Sequence, residues 1–141
     1  MRVEKLLVTQ LVNCINENKD DIGLPCYVTF GAPQTLTGEA MWLQTLGGTR
    51  EIKKYIRGKY KGELSFAVYY RLSAVQMDGI EANLIIPHEQ LSEWFDDIHN
   101  TPVFDGFTVE DICMTKQPSL FRKTEDGEVT YQSIWVMTYK N

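Results

Sequence analysis

The chain is poor in the residue types that most often carry chemistry: among its 141 residues are three cysteines and two histidines. Cys14, Cys26 and Cys113 stand far apart, with no CxxC and no Cys/His pair at ligand spacing, which excludes a zinc site built on local sequence. Each is read as a buried thiol serving as a small hydrophobe. His88 and His99 belong to no HExxH and no carboxylate–histidine cluster, so no metal is expected. His88 is read as a packing residue on the apolar side of a helix, and His99 as a cation at a helix's carbonyl end. No run approaches the roughly 18 apolar residues that span a membrane. The first residues lack the continuous apolar region and cleavage site of a secretory signal, so the chain is expected inside the cell.

Catalytic templates are missing as well. Neither GxxxxGK[ST], GxGxxG nor GxSxG is present, and Gly47-Gly48 and Gly58-Lys59 are read as turn glycines. The adjacent acids Asp20-Asp21, Asp96-Asp97, Glu110-Asp111 and Glu125-Asp126 diverge on either a helix or a strand. None converges locally on one substrate atom, and all are read as solvated surface charge. No catalytic residue, metal ligand or cofactor is named, and the expectation is a protein that is not an enzyme.

What is present is an ordinary globular composition, with 43% hydrophobic, 23% charged and 11% aromatic residues. That excludes disorder, and the length fits one domain over 1–141. A net charge of −5 argues against whole-surface attraction to nucleic acid or anionic lipid.

Val3, Leu7, Leu11 and Cys14/Ile15, with Leu6 beside them, recur at helical steps and predict a helix ending near 16–19. A short β-rich run at Tyr27–Phe30, a breaker-rich loop over 31–38 and a strand at Ala40–Leu46 follow. Thr49–Arg57 and Glu63–Ala74 flank a glycine-bounded turn and predict a hairpin. In its second strand Leu64, Phe66, Val68, Tyr70 and Leu72 face the core, while Ser65, Ala67, Tyr69 and Arg71 face outward. Leu84, His88, Leu91 and Phe95 fit helical spacing, with Ile80 and Ile98 at the two ends. Pro87 either opens a helix or kinks a longer one, and the reading takes a helix over 87–98. Phe107–Thr115 and Val129–Lys140 read as strands joined by an exposed loop over 116–128. The last strand is apolar on both faces, as a central or partner-covered strand is. The fold class is α+β, an antiparallel sheet with two helices packed on it, and the core is expected to hold Phe66, Val68, Tyr70, Leu91, Phe95, Trp135 and Met137.

Two features stand out from this frame. Arg50, Lys53, Lys54, Arg57, Lys59 and Lys61 are opposed only by Glu51, a local balance of +5, and Tyr55 and Tyr60 interleave with them. Three readings stay open: an edge strand kept soluble by its lysines, a contact with an acidic protein surface, or direct contact with nucleic acid. Ile52 and Ile56 are expected to face inward, with Lys53, Tyr55 and Arg57 on the opposite face of the strand. The second feature is Leu120-Phe121 followed by Arg122-Lys123, an apolar pair beside cations in an otherwise polar loop, which has the make-up of an interface anchor.

The run Tyr55–Arg71 (YIRGKYKGELSFAVYYR), the segment Thr108–Arg122 (TVEDICMTKQPSLFR) and the ending Gly127–Lys140 (GEVTYQSIWVMTYK) resemble tail terminator (tail completion) proteins. These are often labelled "minor capsid protein" in long, non-contractile-tailed phages and prophages of Gram-positive hosts. The resemblance covers roughly residues 40–141. It implies a non-catalytic virion subunit, made in the bacterial host cytoplasm and placed at the tail–head junction. Its partners would be copies of itself in a ring, usually a hexamer, the major tail tube protein and the head connector. No membrane is implied, and DNA contact is not expected. The rival reading is a small nucleic-acid-binding or regulatory protein that uses the basic hairpin 50–61.

Overall fold

The structure is a computed structural model, and it describes residues 3–73 and 80–141. The elements run α1 (Val3–Glu17), α2 (Lys19–Ile22), β1 (Val28–Phe30), β2 (Ala40–Lys54), β3 (Tyr60–Ser73), α3 (Ile80–Asp96), β4 (Val103–Phe104), β5 (Phe107–Lys123) and β6 (Glu128–Lys140). Six strands form one sheet in the order β1-β2-β3-β6-β5-β4. Every pairing is antiparallel except β1 with β2, so the sheet is mixed rather than purely antiparallel as expected. The cause is residues 31–39, which carry the chain back along the sheet so that β2 starts beside the start of β1. A third helix, the single turn α2, also joins the two expected ones.

Both long helices pack on one face. From α1 come Leu7, Val8, Leu11, Val12 and Ile15, and from α3 come Leu84, Leu91 and Phe95, all buried against Leu43, Leu64, Phe66, Val68, Trp135 and Met137. The seven expected core residues are all buried. Phe66 and Trp135 stack with centroids 6.0 Å apart, and Phe95 meets the Trp135 ring edge-on. Helix α3 begins seven residues before Pro87 and runs through it. Proline in a helix interior costs about 3 kcal/mol. Leu84, on the N-terminal side of Pro87, and Leu91, after it, are both fully buried, and such burial contributes about 1.5–3 kcal/mol per side chain. Burial therefore carries the helix across the break.

Other boundaries differ for similar reasons. Gly47-Gly48 do not close a strand. They sit in a bulge between Thr45 and Thr49, with Gly47 at φ +77, and β2 continues to Lys54. Strand β5 runs on to Lys123, and the expected loop 116–128 shrinks to a turn over 124–127. Pro118 is accommodated in a register shift between Lys116 and Ser119. Ala74, the expected end of β3, and the side chain of Ile80 lie outside the described residues.

The face without helices is covered in part. Trp42, Ala67 and Tyr69 form a second buried cluster there, with Trp42 and Tyr69 stacked at 5.2 Å and Phe121 edge-on to Tyr69 at 4.9 Å. Ala67, Tyr69 and Arg71 are therefore buried, not outward in solvent as the alternation predicts. Residues 31–39 cross this face: the Arg71 guanidinium donates to the Gly38, Thr37 and Thr35 oxygens and lies over the Trp42 ring.

Candidate assembly surfaces

The β2–β3 connection is a 3-10 turn over Ile56–Gly58, closed by Tyr55 N–H donating to Lys59 C=O at 2.7 Å. Arg57 holds φ +65, an unusual backbone state for a residue other than glycine. Asn141, just after β6, braces the turn: its side chain accepts from Tyr60 N–H at 2.7 Å and donates to Gly58 C=O at 3.3 Å. Strand β2 ends at Lys54, so Arg57 does not share a strand face with Lys53. Ile52 and Ile56 do not face inward either. Both are exposed, Ile56 to 85%: Ile52 falls in a register shift between Glu51 and Lys53, and Ile56 lies in the 3-10 turn beyond the strand.

The six cations divide into two groups. Arg50 pairs with Glu63 at 3.0 Å, Lys54 with Glu51 at 3.8 Å, and Lys61 with Glu110 at 3.1 Å. Lys140 joins Glu110 at 3.2 Å, and the hydrogen bonds from these two lysines hold the Glu110 carboxyl below its ordinary pKa. Lys53, Arg57 and Lys59 have no carboxylate partner among the described residues, and Lys53 lies over the Tyr55 ring at 5.3 Å.

Leu120, Phe121, Arg122 and Lys123 fall on β5 instead of a loop, with Leu120 opposite Tyr131 and Lys123 opposite Val129. Leu120 and Phe121 are both more than half exposed, although Phe121 also seats on Tyr69. The structure does not bring this group to the basic turn. Lys61 lies opposite Lys140 at one end of β6, and Lys123 opposite Val129 at the other, about 36 Å away at ~3.3 Å per residue.

Potential chemistry is buried or dispersed. His88 is buried, with Nδ1 2.6 Å from Ser133 Oγ, which also accepts from Trp135 Nε1 at 2.8 Å. Burial pushes the His88 pKa down to about 4. The pair has no opening to solvent, so it packs the core as the sequence reading holds. Cys14 and Cys26 are half-buried, but Cys113 is exposed, contrary to expectation, because it sits on the helix-free face of β5. Desolvation and the neighbouring Asp111 raise its pKa, which keeps the thiol protonated. No group of three or more His, Cys, Asp or Glu is placed to hold a metal among the described residues, and none of their helices is long and apolar enough to cross a membrane.

Sequence reasoning missed the far end of the sheet. Glu128, 4% exposed, accepts from Gly38 N–H through Oε1, and its Oε2 has no hydrogen-bond partner among the described residues. It lines a cavity of about 250 Å³ with Leu36, Trp42, Arg71, Arg122 and Asp126. Nothing in the spacing of Glu128 marks it, since its burial depends on residues 31–39 folding over it from far away in sequence.

No protein-family model and no curated protein matches the sequence. Among solved structures, the fold is similar to a chain in the virion of a native gene transfer agent particle, with a TM-score of 0.61 and 10% identity. The match covers 99% of this chain and 96% of that one, so what the two share is a whole fold from end to end.

Proposed function

We propose that this chain is a structural component of a phage-type virion, and within the virion a tail terminator. It would cap the head-proximal end of the tail tube and offer a surface to the head connector. The observation that carries the reading is the end-to-end correspondence of fold with a virion chain, free of large insertions on either side. The resemblance of the hairpin and closing strands to tail terminators supports the finer role. On this reading the protein runs no reaction and assembles as a ring, a hexamer by analogy, on the tube protein. Lys53, Arg57, Lys59, Leu120 and Phe121 are the exposed contact residues, while Arg50, Lys54 and Lys61 are engaged within the subunit. That engagement also weakens the nucleic-acid reading, because paired cations release fewer counterions from a phosphate backbone.

The test is negative-stain microscopy of tails assembled with and without the protein. Tails of uniform length with it, and overlong or headless tails without it, are expected. Unchanged tails and normal head joining in its absence would remove the proposal.

A further inference from the structure

The two ends of the sheet are complementary in a way that a single copy cannot use. One end is the β2–β3 turn, where Ile56 is 85% exposed and Arg57 and Lys59 lack carboxylate partners among the described residues. At the opposite end is the cavity described above. Its rim carries Leu36, 83% exposed, and Asp126, and Glu128 presents a buried Oε2 without a donor among the described residues. A buried acceptor left unpaired is costly, so this oxygen calls for an N–H donor. Arg71, which also lines the cavity, is committed to the Thr35, Thr37 and Gly38 oxygens and to the Trp42 face. Arg122 on the rim keeps the cavity from being uniformly acidic, so selection rests on the unpaired oxygen more than on bulk charge.

The geometry points to a head-to-tail contact between copies of this chain: the β2–β3 turn of one copy seats in the notch of the next, with Lys59 or Arg57 reaching Glu128 and Asp126 while Ile56 covers Leu36. The contact uses two different patches, so it is heterologous and closes into a ring when the rotation per copy permits. It rests on the reading of the chain as a self-assembling virion subunit and names the surfaces that assembly uses. About 40 Å of sheet separates turn from notch, which forbids the same contact within one copy.

The experiment is sedimentation equilibrium of the full chain, comparing wild type, Lys59→Glu, Asp126→Lys and an equimolar mixture of the two variants. Both substituted residues are exposed, so folding should persist, and thermal melting checks that. Each reversal alone is expected to weaken self-association by on the order of tenfold or more. The mixture is expected to recover it. In it the acidic turn of the Lys59→Glu copy meets the basic notch of the Asp126→Lys copy, and the unaltered turn of the second meets the unaltered notch of the first. Glu128→Gln, which places an amide at the unpaired position, is expected to weaken association while leaving the melt close to wild type. A monomeric wild type, variants that associate as wild type does, or a mixture no stronger than its components would overturn the contact. Tail capping that persists through such a result would show that the virion role stands and only this contact fails.

Discussion

His88 shows how one residue ties a sequence pattern to a measurable property. Its place on the apolar stripe of α3 is legible in the spacing of Leu84, Leu91 and Phe95, but its partner Ser133, 45 positions away, is not. Burial holds its pKa at about 4, below the ordinary 6.5, so the unfolded chain takes up the proton first as pH falls. The stabilisation is complete above about pH 6.5 and drains away between about pH 6.5 and 4, by at most ~2–3 kcal/mol. Urea unfolding at about pH 7 and about pH 4.5 should therefore show a larger loss for wild type than for His88→Gln, which has no imidazole to protonate. Equal losses would mean the imidazole reaches water in the folded state. Cys113, Ile52 and Ile56 depart from expectation for the same reason that His88 meets it. Local alternation says which residues share a face, but only tertiary packing decides whether that face is covered.

At the level of elements, the clearest signals are the long periodic ones, α1 and β3, and the boundaries are the weakest. Pro87, Gly47 and Pro118 each look like a terminator in sequence. Each is absorbed, by burial of the flanking leucines, by a bulge or by a register shift. Gly62 is the contrasting case, a glycine inside β3 whose backbone is covered by the Tyr139 ring. A Cβ there would come within 2.6 Å of Tyr139 Oη, and Tyr139 is itself buried. Gly62→Ala is expected to lower stability by about 1–3 kcal/mol, read as a shift in the denaturation midpoint, and a neutral result would mean that the ring swings aside freely. On β5, Leu120→Ser should change stability by no more than about 0.5 kcal/mol. Phe121→Ser should lose about 0.5–1.5 kcal/mol through its edge contact with Tyr69. A double variant that keeps its fold but fails to cap tails would mark the pair as an assembly contact, whereas normal capping would return it to plain surface.

For the whole molecule, the α+β class, the single sheet and the helix-covered face are readable, because they follow from residue spacing summed over long segments. The parallel β1–β2 pair and the Glu128 notch are not, since both depend on how residues 31–39 travel, and a breaker-rich loop carries no directional signal. Reversing Lys53, Arg57 and Lys59 to Glu is expected to leave the melting temperature within a few degrees, because none has a carboxylate partner to lose among the described residues. On the tail-terminator role proposed above, the same variant is expected to lose tail capping, and tails of uniform length would reduce this end to a solvated edge. Self-association of the unmodified chain should weaken as salt rises. The edges of the sheet add a final point. Asn16 accepts from the N–H of Val28 at 2.7 Å and donates to its C=O at 2.8 Å, so a side-chain amide occupies the place a seventh strand would take beside β1. An amide that occupies one position of a sheet border in this way withholds part of the template on which fibrils grow, and Asn16→Leu is expected to seed thioflavin-positive aggregates more readily than wild type.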